Sequence, residues 1–176
     1  MPDRATPNPV SRDQGALVLR PVALDDAENL LAILGDPKVA FWLRRAGQSG
    51  PFTLEECRAT ARRMAAHWTA HGFGTSLAFA GERCVGWSLV HYTQAAGRSE
   101  VEIGWSVASD LWRQGIATDL GSHALACASD AGFDRIVAYT RVDNAASRRV
   151  MEKLGLRYER DFEHAGLPHV LYANSR

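Results

Sequence analysis

Between residues 99 and 131 the hydrophobic period of the chain changes from two to about 3.6, and the change falls on a single glycine. Val101, Ile103, Trp105 and Val107 alternate with Glu100, Glu102, Gly104 and Ser106, the pattern of a strand with two chemically different faces. From Gly115 onward Ala117, Leu120, Ala124, Cys127, Ala128 and Ala131 recur at spacings of three and four, a helix with one buried stripe that Gly132 stops. Residues 110–114 form the polar turn between the two. A strand that passes through so short a turn into a glycine-headed helix commits the chain to a mixed sheet-and-helix architecture. It also sets a helix N-terminus beside a strand end, where unpaired N–H groups and the positive end of the helix dipole favour an anion. Gly115 lets a ligand approach the backbone there, and Arg113 adds a cation suited to a pyrophosphate. The Gly-Lys-Ser/Thr ending of a nucleoside-triphosphate loop is missing.

The rest of the chain fits the same class. Residues 1–15 hold Pro2, Pro7 and Pro9 among polar residues and read as a flexible leader, with one domain over residues 16–176. Leu17, Leu19 and Pro21 suggest a first strand. Asp25 and Asp26 then open a helix that runs to Gly35 and is closed by Asp36-Pro37. Thr53 caps a second helix with Glu55 and Glu56 in its first turn, ending near His71-Gly72, so the pair is expected to be joined by a mobile loop. Residues 75–92 read as a hairpin about Gly81-Glu82. A strand over 135–141, a helix over 145–154 stopped by Gly155, and strands near 156–162 and 168–173 complete the chain.

Twenty basic residues balance twenty acidic ones, so no net field draws the chain to nucleic acid or an anionic membrane. Cys57, Cys84 and Cys127 lack the paired spacing of a zinc or redox site and read as buried thiols. His67 and His71 stand four apart on the second helix, but no Glu follows His67, so a zinc-protease motif fails and no metal is expected. No apolar run approaches the roughly 18 residues of a membrane span and the start lacks a signal-peptide stretch, which gives the expectation of a cytoplasmic protein.

Trp112-Arg113-Gln114-Gly115-Ile116-Ala117 matches, except at its first position, the Gln/Arg-x-x-Gly-x-Gly/Ala pyrophosphate loop of the GNAT N-acetyltransferase superfamily, which the chain resembles. Trp112 at that position, with Thr118 after the loop, is similar to the branch of the ribosomal-protein-alanine acetyltransferases. Asn144 and Ser147, followed by Met151-Glu152-Lys153-Leu154-Gly155, resemble the same branch's Asn-x-x-Ser segment and Lys-Leu-Gly helix end. The resemblance implies an α+β GNAT fold: a mixed, mostly antiparallel sheet of six or seven strands flanked by about four helices. It also implies acetyl-coenzyme A as co-substrate, lying between the fourth and fifth strands, with its pyrophosphate on residues 114–118.

The candidate residues follow. Glu102, on what should be a central strand, is either a general base at a cleft, as the resemblance of Glu102-Ile103-Gly104-Trp105 implies, or a solvent-facing residue alongside Glu100. The resemblance implies an oxyanion donor among the strand-four amides near Ser106 or Val107. It also implies a tyrosine general acid at a position that Met151 occupies here. Ser147, water, or a proton taken directly from the amine are then the remaining sources for the leaving thiolate. Asn144 reads as an N-cap, a coenzyme ligand, or both; Ser147 as a coenzyme ligand or an ordinary helix serine. Arg148, Arg149 and Lys153 form either a solvated basic face or a contact to the coenzyme's ribose phosphate. The acceptor is expected between the 41–52 loop and the 89–97 hairpin end, with Phe41, Trp42, Phe52, Trp87 and Tyr92 as lining. The reading is transfer of an acetyl group to a primary amine, a peptide α-amino group or a small molecule. A non-catalytic acyl-coenzyme A sensor and an interaction domain are the rivals.

Overall fold

The computed structural model describes residues 17–95 and 97–174. The leader expected over residues 1–15 lies outside them. Seven strands form one sheet in the order β1-β2-β3-β4-β5-β7-β6: β1 Val18–Pro21, β2 Ser76–Ala80, β3 Arg83–Thr93, β4 Glu100–Val107, β5 Ile136–Arg141, β6 Arg157–His164 and β7 Leu167–Ala173. Every neighbouring pair is antiparallel except β4 and β5. Five α-helices accompany it among the described residues: α1 Ala27–Leu34, α2 Pro37–Leu43, α3 Leu54–His71, α4 Ile116–Asp130 and α5 Ala145–Lys153. This is the mixed α+β architecture expected from the changing period.

The alternation in β4 divides the molecule. Val101, Ile103 and Val107 are buried under α4, in cores shared with Ala124, Ala128, Leu120 and the α5 residue Met151. Gly121 explains the tightness of that layer. A Cβ there would stand 2.6 Å from Leu154 Cδ1 and 3.0 Å from the Trp105 ring, so any larger residue would push α4 off the sheet. The other face meets α1 and α3 through Leu30, Ile33, Leu34, Cys57, Leu77 and Trp87. Beyond them, over β5, β7 and β6, this face carries a small apolar cluster of Val137, Leu171 and Ala173 with Tyr139 and Phe162, beside Glu102, His164 and His169.

The segment between the first and second expected helices departs from expectation. Asp36-Pro37 starts a helix as well as ending one: Asp36 accepts a hydrogen bond from the Lys38 amide (2.8 Å), and Pro37 occupies the first helical position, where its missing N–H does no harm. α2 follows, so most of the remaining joining loop lies over residues 44–53. Arg44 holds that loop, paired with Glu56 at 2.6 Å, donating to the Pro51 carbonyl at 2.8 Å and stacked 3.8 Å over the Phe52 ring. Thr53 and Glu56 form a reciprocal capping box at the start of α3, a feature that contributes about 1 kcal/mol.

Candidate active site

The anion site expected at the head of α4 has a specific backbone shape. Gly115 has φ 87° and Arg113 φ 66°, so two left-handed residues flank Gln114. Left-handed Arg carries a strain of about 1–2 kcal/mol, and the alternation curls consecutive amides into a concave nest that favours anions. The first bonds of the helix run from the Thr118 and Asp119 amides to the Gly115 carbonyl, at 2.9 and 3.2 Å. The amides of Gly115, Ile116 and Ala117 therefore project beyond the helical ladder. Arg113 and Gln114 are exposed beside them. Trp112 contributes differently from the rest of the motif. Its indole N–H donates to the Val107 carbonyl at 2.9 Å and so ties the nest to the end of β4.

β4 and β5 are in register at only two positions, Val101 with Ile136 and Glu102 with Val137. Past Glu102 the strands part, leaving a fork along Ile103 to Val107 roughly 15 Å long at strand rise. The Ala108 amide donates to Val85 on β3, and β4 pairs with β3 without a register shift. Antiparallel alternation then sends the Ser106, Gly104 and Glu102 amides to β3 and the Val107, Trp105 and Ile103 amides toward the fork. Of the two expected oxyanion positions, Val107 is the one whose amide faces the fork; that of Ser106 belongs to the ladder with Trp87.

Glu102 sits at the apex of the fork on the polar face, 7% exposed. His91 Nε2 donates to Glu102 Oε2 at 2.8 Å. On the other side Tyr139 of β5 faces Glu102 and Thr93. Burial first, and then the Glu102 carboxylate, push its phenol far above its ordinary value, so it stays protonated. Gly104 is the next β4 residue on this face, and a Cβ there would lie 3.9 Å from Glu102 Oε1, so the missing side chain leaves space beside the carboxylate. Glu100 does not share this setting, and the expectation that it faces solvent is corrected. It is buried with Oε1 held by Arg98 at 2.6 Å and Arg135 at 2.7 Å, a structural ion-pair network extended by Glu159.

The far end of the polar face carries His164, His169 and Phe162 around Tyr139, with ring centroids between 5.1 and 6.0 Å from that of Tyr139. Burial lowers the pKa of His164, with His169 and Arg45 acting in the same direction. Over this floor the Ala46 amide donates to the Ala165 carbonyl at 3.0 Å, joining the 44–53 loop to the β6–β7 turn. The Phe41 carbonyl accepts from Arg141, whose guanidinium lies 4.5 Å over the Phe41 ring and 5.2 Å over that of Trp42. The wall opposite the loop is therefore the β6–β7 turn, which the sequence did not suggest. Phe52 and Trp87 belong to the core beneath α1 and α3, and Tyr92 packs with His71, Phe73 and Phe133.

Asn144 caps α5: its Oδ1 accepts from the Ser147 amide at 3.2 Å and its Nδ2 donates to Thr140 Oγ1 at 3.1 Å. Ser147 is half-buried one turn into the helix, and Met151 is fully buried. Arg148 turns toward the sheet, donating to the Tyr172 hydroxyl and the Val142 carbonyl, whereas Arg149 and Lys153 are exposed. Sequence reasoning missed His91, Tyr139, His164 and His169 as companions of Glu102. The parity of β5 was visible, but which of its residues falls opposite Glu102 was not.

Fold and site together define an α+β protein with an anion nest at the mouth of a forked sheet. Residues 16–157 match the family model described as the acetyltransferase (GNAT) domain, and the chain belongs to that family. Among solved structures it is similar to a GNAT-family acetyltransferase from Bacillus anthracis, at 24% identity and TM-score 0.71, covering 89% of this chain and 93% of that one. It is also similar to a ribosomal-protein-alanine acetyltransferase from Vibrio fischeri, at 15% identity and TM-score 0.73, covering 96% of each. A third is AAC(6')-Ib in complex with ribostamycin and coenzyme A, at 17% identity and TM-score 0.71, covering 91% and 93%. Among the described residues no helix is long and apolar enough to cross a membrane, and no group of three or more His, Cys, Asp or Glu is arranged for a metal.

Proposed function

We propose that the chain transfers an acetyl group from acetyl-coenzyme A directly to a primary amine, with Glu102 as general base. Glu102 carries the proposal: a nearly buried carboxylate at the apex of the fork, where the two strand edges separate and an acyl group held along them meets the polar face. The nest of the 113–117 amides suits the pyrophosphate, and the strand edge at Ile103 to Val107 suits a ligand arm that carries amides of its own. The coenzyme supplies the activated thioester. This chain's residues then orient the amine over the polar face, remove its proton at Glu102, and present a fork-facing amide of β4 to the carbonyl oxygen as it gathers charge, that of Ile103 being the one beside Glu102 and that of Val107 lying at the nest end.

Met151 leaves no tyrosine acid at the position the family pattern implies, yet the chemistry does not require one. A thiol ionises near 8.5, so a thiolate is a competent leaving group at neutral pH and regains its proton from water or from the amine nitrogen. His91 holds the carboxylate instead, and Tyr139 beside it stays protonated. The acceptor lies between the α2 end, the 44–53 loop and the β6–β7 turn, and an α-amino group or a small-molecule amine fits that position. One of the similar structures is a ribosomal-protein-alanine acetyltransferase, and another holds an aminoglycoside. Turnover of acetyl-coenzyme A with a pooled panel of peptides and small amines tests the proposal. Coenzyme binding without turnover of any amine would favour a sensor, and failure to bind would overturn the proposal altogether.

A further inference from the structure

Resting on that reading, we infer that His91 is a positioning residue and the exit for the proton that Glu102 removes from the acceptor. The need for an exit follows from the balance of the reaction. A primary amine that arrives as an ammonium ion loses two N–H protons as the C–N bond forms and the C–S bond breaks. One proton ends on sulfur, as the thiolate becomes a thiol. The other is left on Glu102, whose side chain is only 10% exposed, and must reach solvent before the next turnover.

Among the groups facing Glu102, His91 is the one placed to take it. Its Nε2 is 2.8 Å from Glu102 Oε2, and its side chain is 34% exposed, so one imidazole spans the step from buried carboxylate to water. Tyr139, on the β5 side, cannot serve, because burial and the carboxylate itself keep its phenol protonated. Thr93 has a hydroxyl with no accessible ionisation. His164, which senses the Glu102 charge from β6, is lowered by burial and by His169 and Arg45, which disfavours a second positive charge there. On the other side of His91 stands α3. His67 lies 6.2 Å away between ring centroids, and its Nδ1–H donates to the Phe73 carbonyl at 2.9 Å. His67 in turn packs at 4.5 Å against the exposed His71. Burial lowers the pKa of His67, so it stays neutral and does not repel a protonated His91. An imidazole, whose ordinary pKa is about 6.5, can accept and release a proton near neutral pH.

The test compares His91→Gln with the parent and with Glu102→Gln, using the fastest amine of the panel as acceptor in a weakly buffered assay. Glutamine keeps an N–H donor toward Glu102 but cannot carry a proton. The expected result for His91→Gln is a kcat lower by about 10-fold or more, KM for acetyl-coenzyme A within about two-fold of the parent, and recovery of kcat as imidazole is added. The parent should be indifferent to imidazole. A melting temperature that rises with acetyl-coenzyme A shows that the variant is folded, and His91→Asn replaces it if it is not. A full-rate His91→Gln beside a crippled Glu102→Gln overturns the relay alone, as does a slow His91→Gln that is flat against imidazole. Equal rescue of Glu102→Gln by imidazole also overturns it, since free base would then be acting on the amine. A parent that turns over no amine overturns the acetyl-transfer reading and the relay with it.

Discussion

Gly115 and Gly132 stand at the two ends of α4 with nearly the same backbone, φ 87° and 84°, and only the first belongs to the anion nest. Valine at either position must adopt a left-handed conformation at a cost of about 1–2 kcal/mol. A chain of this size loses roughly 2–4 °C in melting temperature per kcal/mol, so both variants should melt about 2–8 °C below the parent. Ligand binding separates them. At a concentration 100 times its Kd, a ligand that binds only the folded state adds about 2.7 kcal/mol. On the same scale that raises the parent's melting temperature by roughly 5–11 °C. Gly132→Val, where an added Cβ meets nothing within 4 Å, should show this full rise with acetyl-coenzyme A. Gly115→Val should show almost none, because a β-branched residue there strains the left-handed turn of the loop proposed to receive the phosphates. The assay is thermal denaturation of the three proteins with and without acetyl-coenzyme A. A folded Gly115→Val that keeps the parent's shift would place the phosphate site elsewhere.

Glu102→Gln should lose about 10²–10⁴-fold in kcat at neutral pH and recover partly at high pH, where more of the amine is already neutral. An unchanged kcat in the folded variant, with chemistry rate-limiting, removes Glu102 from the mechanism. An α-amino group, with a pKa of about 7.7–8.0, should be acetylated faster than a lysine near 10.4, because more of it is unprotonated at neutral pH. Faster modification of lysine within peptides of matched sequence would count against that order. The Arg44 side chain, and then the Thr53 amide, hold the Glu56 carboxyl at about 2, below its ordinary 4.5. The folded-state pKa is depressed, so the contribution is complete above about pH 4.5 and disappears as pH falls through about 2. Glu56→Gln should flatten the dependence of melting temperature on pH in that window, and an unchanged slope would show that the clamp on the 44–53 loop carries no such linkage. 

Local rules made some elements legible in the sequence, and long-range contacts hid others. The change of period at Gly115 and the capping residues at Thr53 and Asn144 depend on neighbours within a few residues, and all three appear where the pattern placed them. Asp36-Pro37 shows the limit of the same rules: the pair ends one helix and begins the next, and local chemistry is consistent with either reading. Glu102 was visible as an acidic residue in a central strand, but its companions come from β3 and β5. Their arrival depends on pairing Glu102 with His91 on one side and Val137 on the other, registers that no sequence window contains. Glu100 illustrates the converse error. It has the same parity as Glu102, yet Arg98 and Arg135 turn it into part of the scaffold.

The division of the sheet explains why the catalytic proposal concentrates at one residue. One face is sealed by α4 and α5, an apolar layer that holds the helix bearing the nest and that Gly121 and Met151 fit closely. The opposite face is covered by α1 and α3 only near β2 and β3, so titratable groups gather over β5, β7 and β6. A ligand held by the nest and an amine bound on the polar face can meet only where the backbone between the faces opens. That opening begins where pairing of β4 with β5 ends, immediately past Glu102 and Val137. A carboxylate one alternation earlier on the strand, at Glu100, would lie behind the paired segment. One alternation later, at Gly104, a side chain would occupy the space beside the Glu102 carboxylate that the proposed reaction assigns to the amine. Position 102 is thus the one on this face of β4 where a base can reach the fork without filling it; the register brings His91 to hold it there and sets Tyr139 beside it.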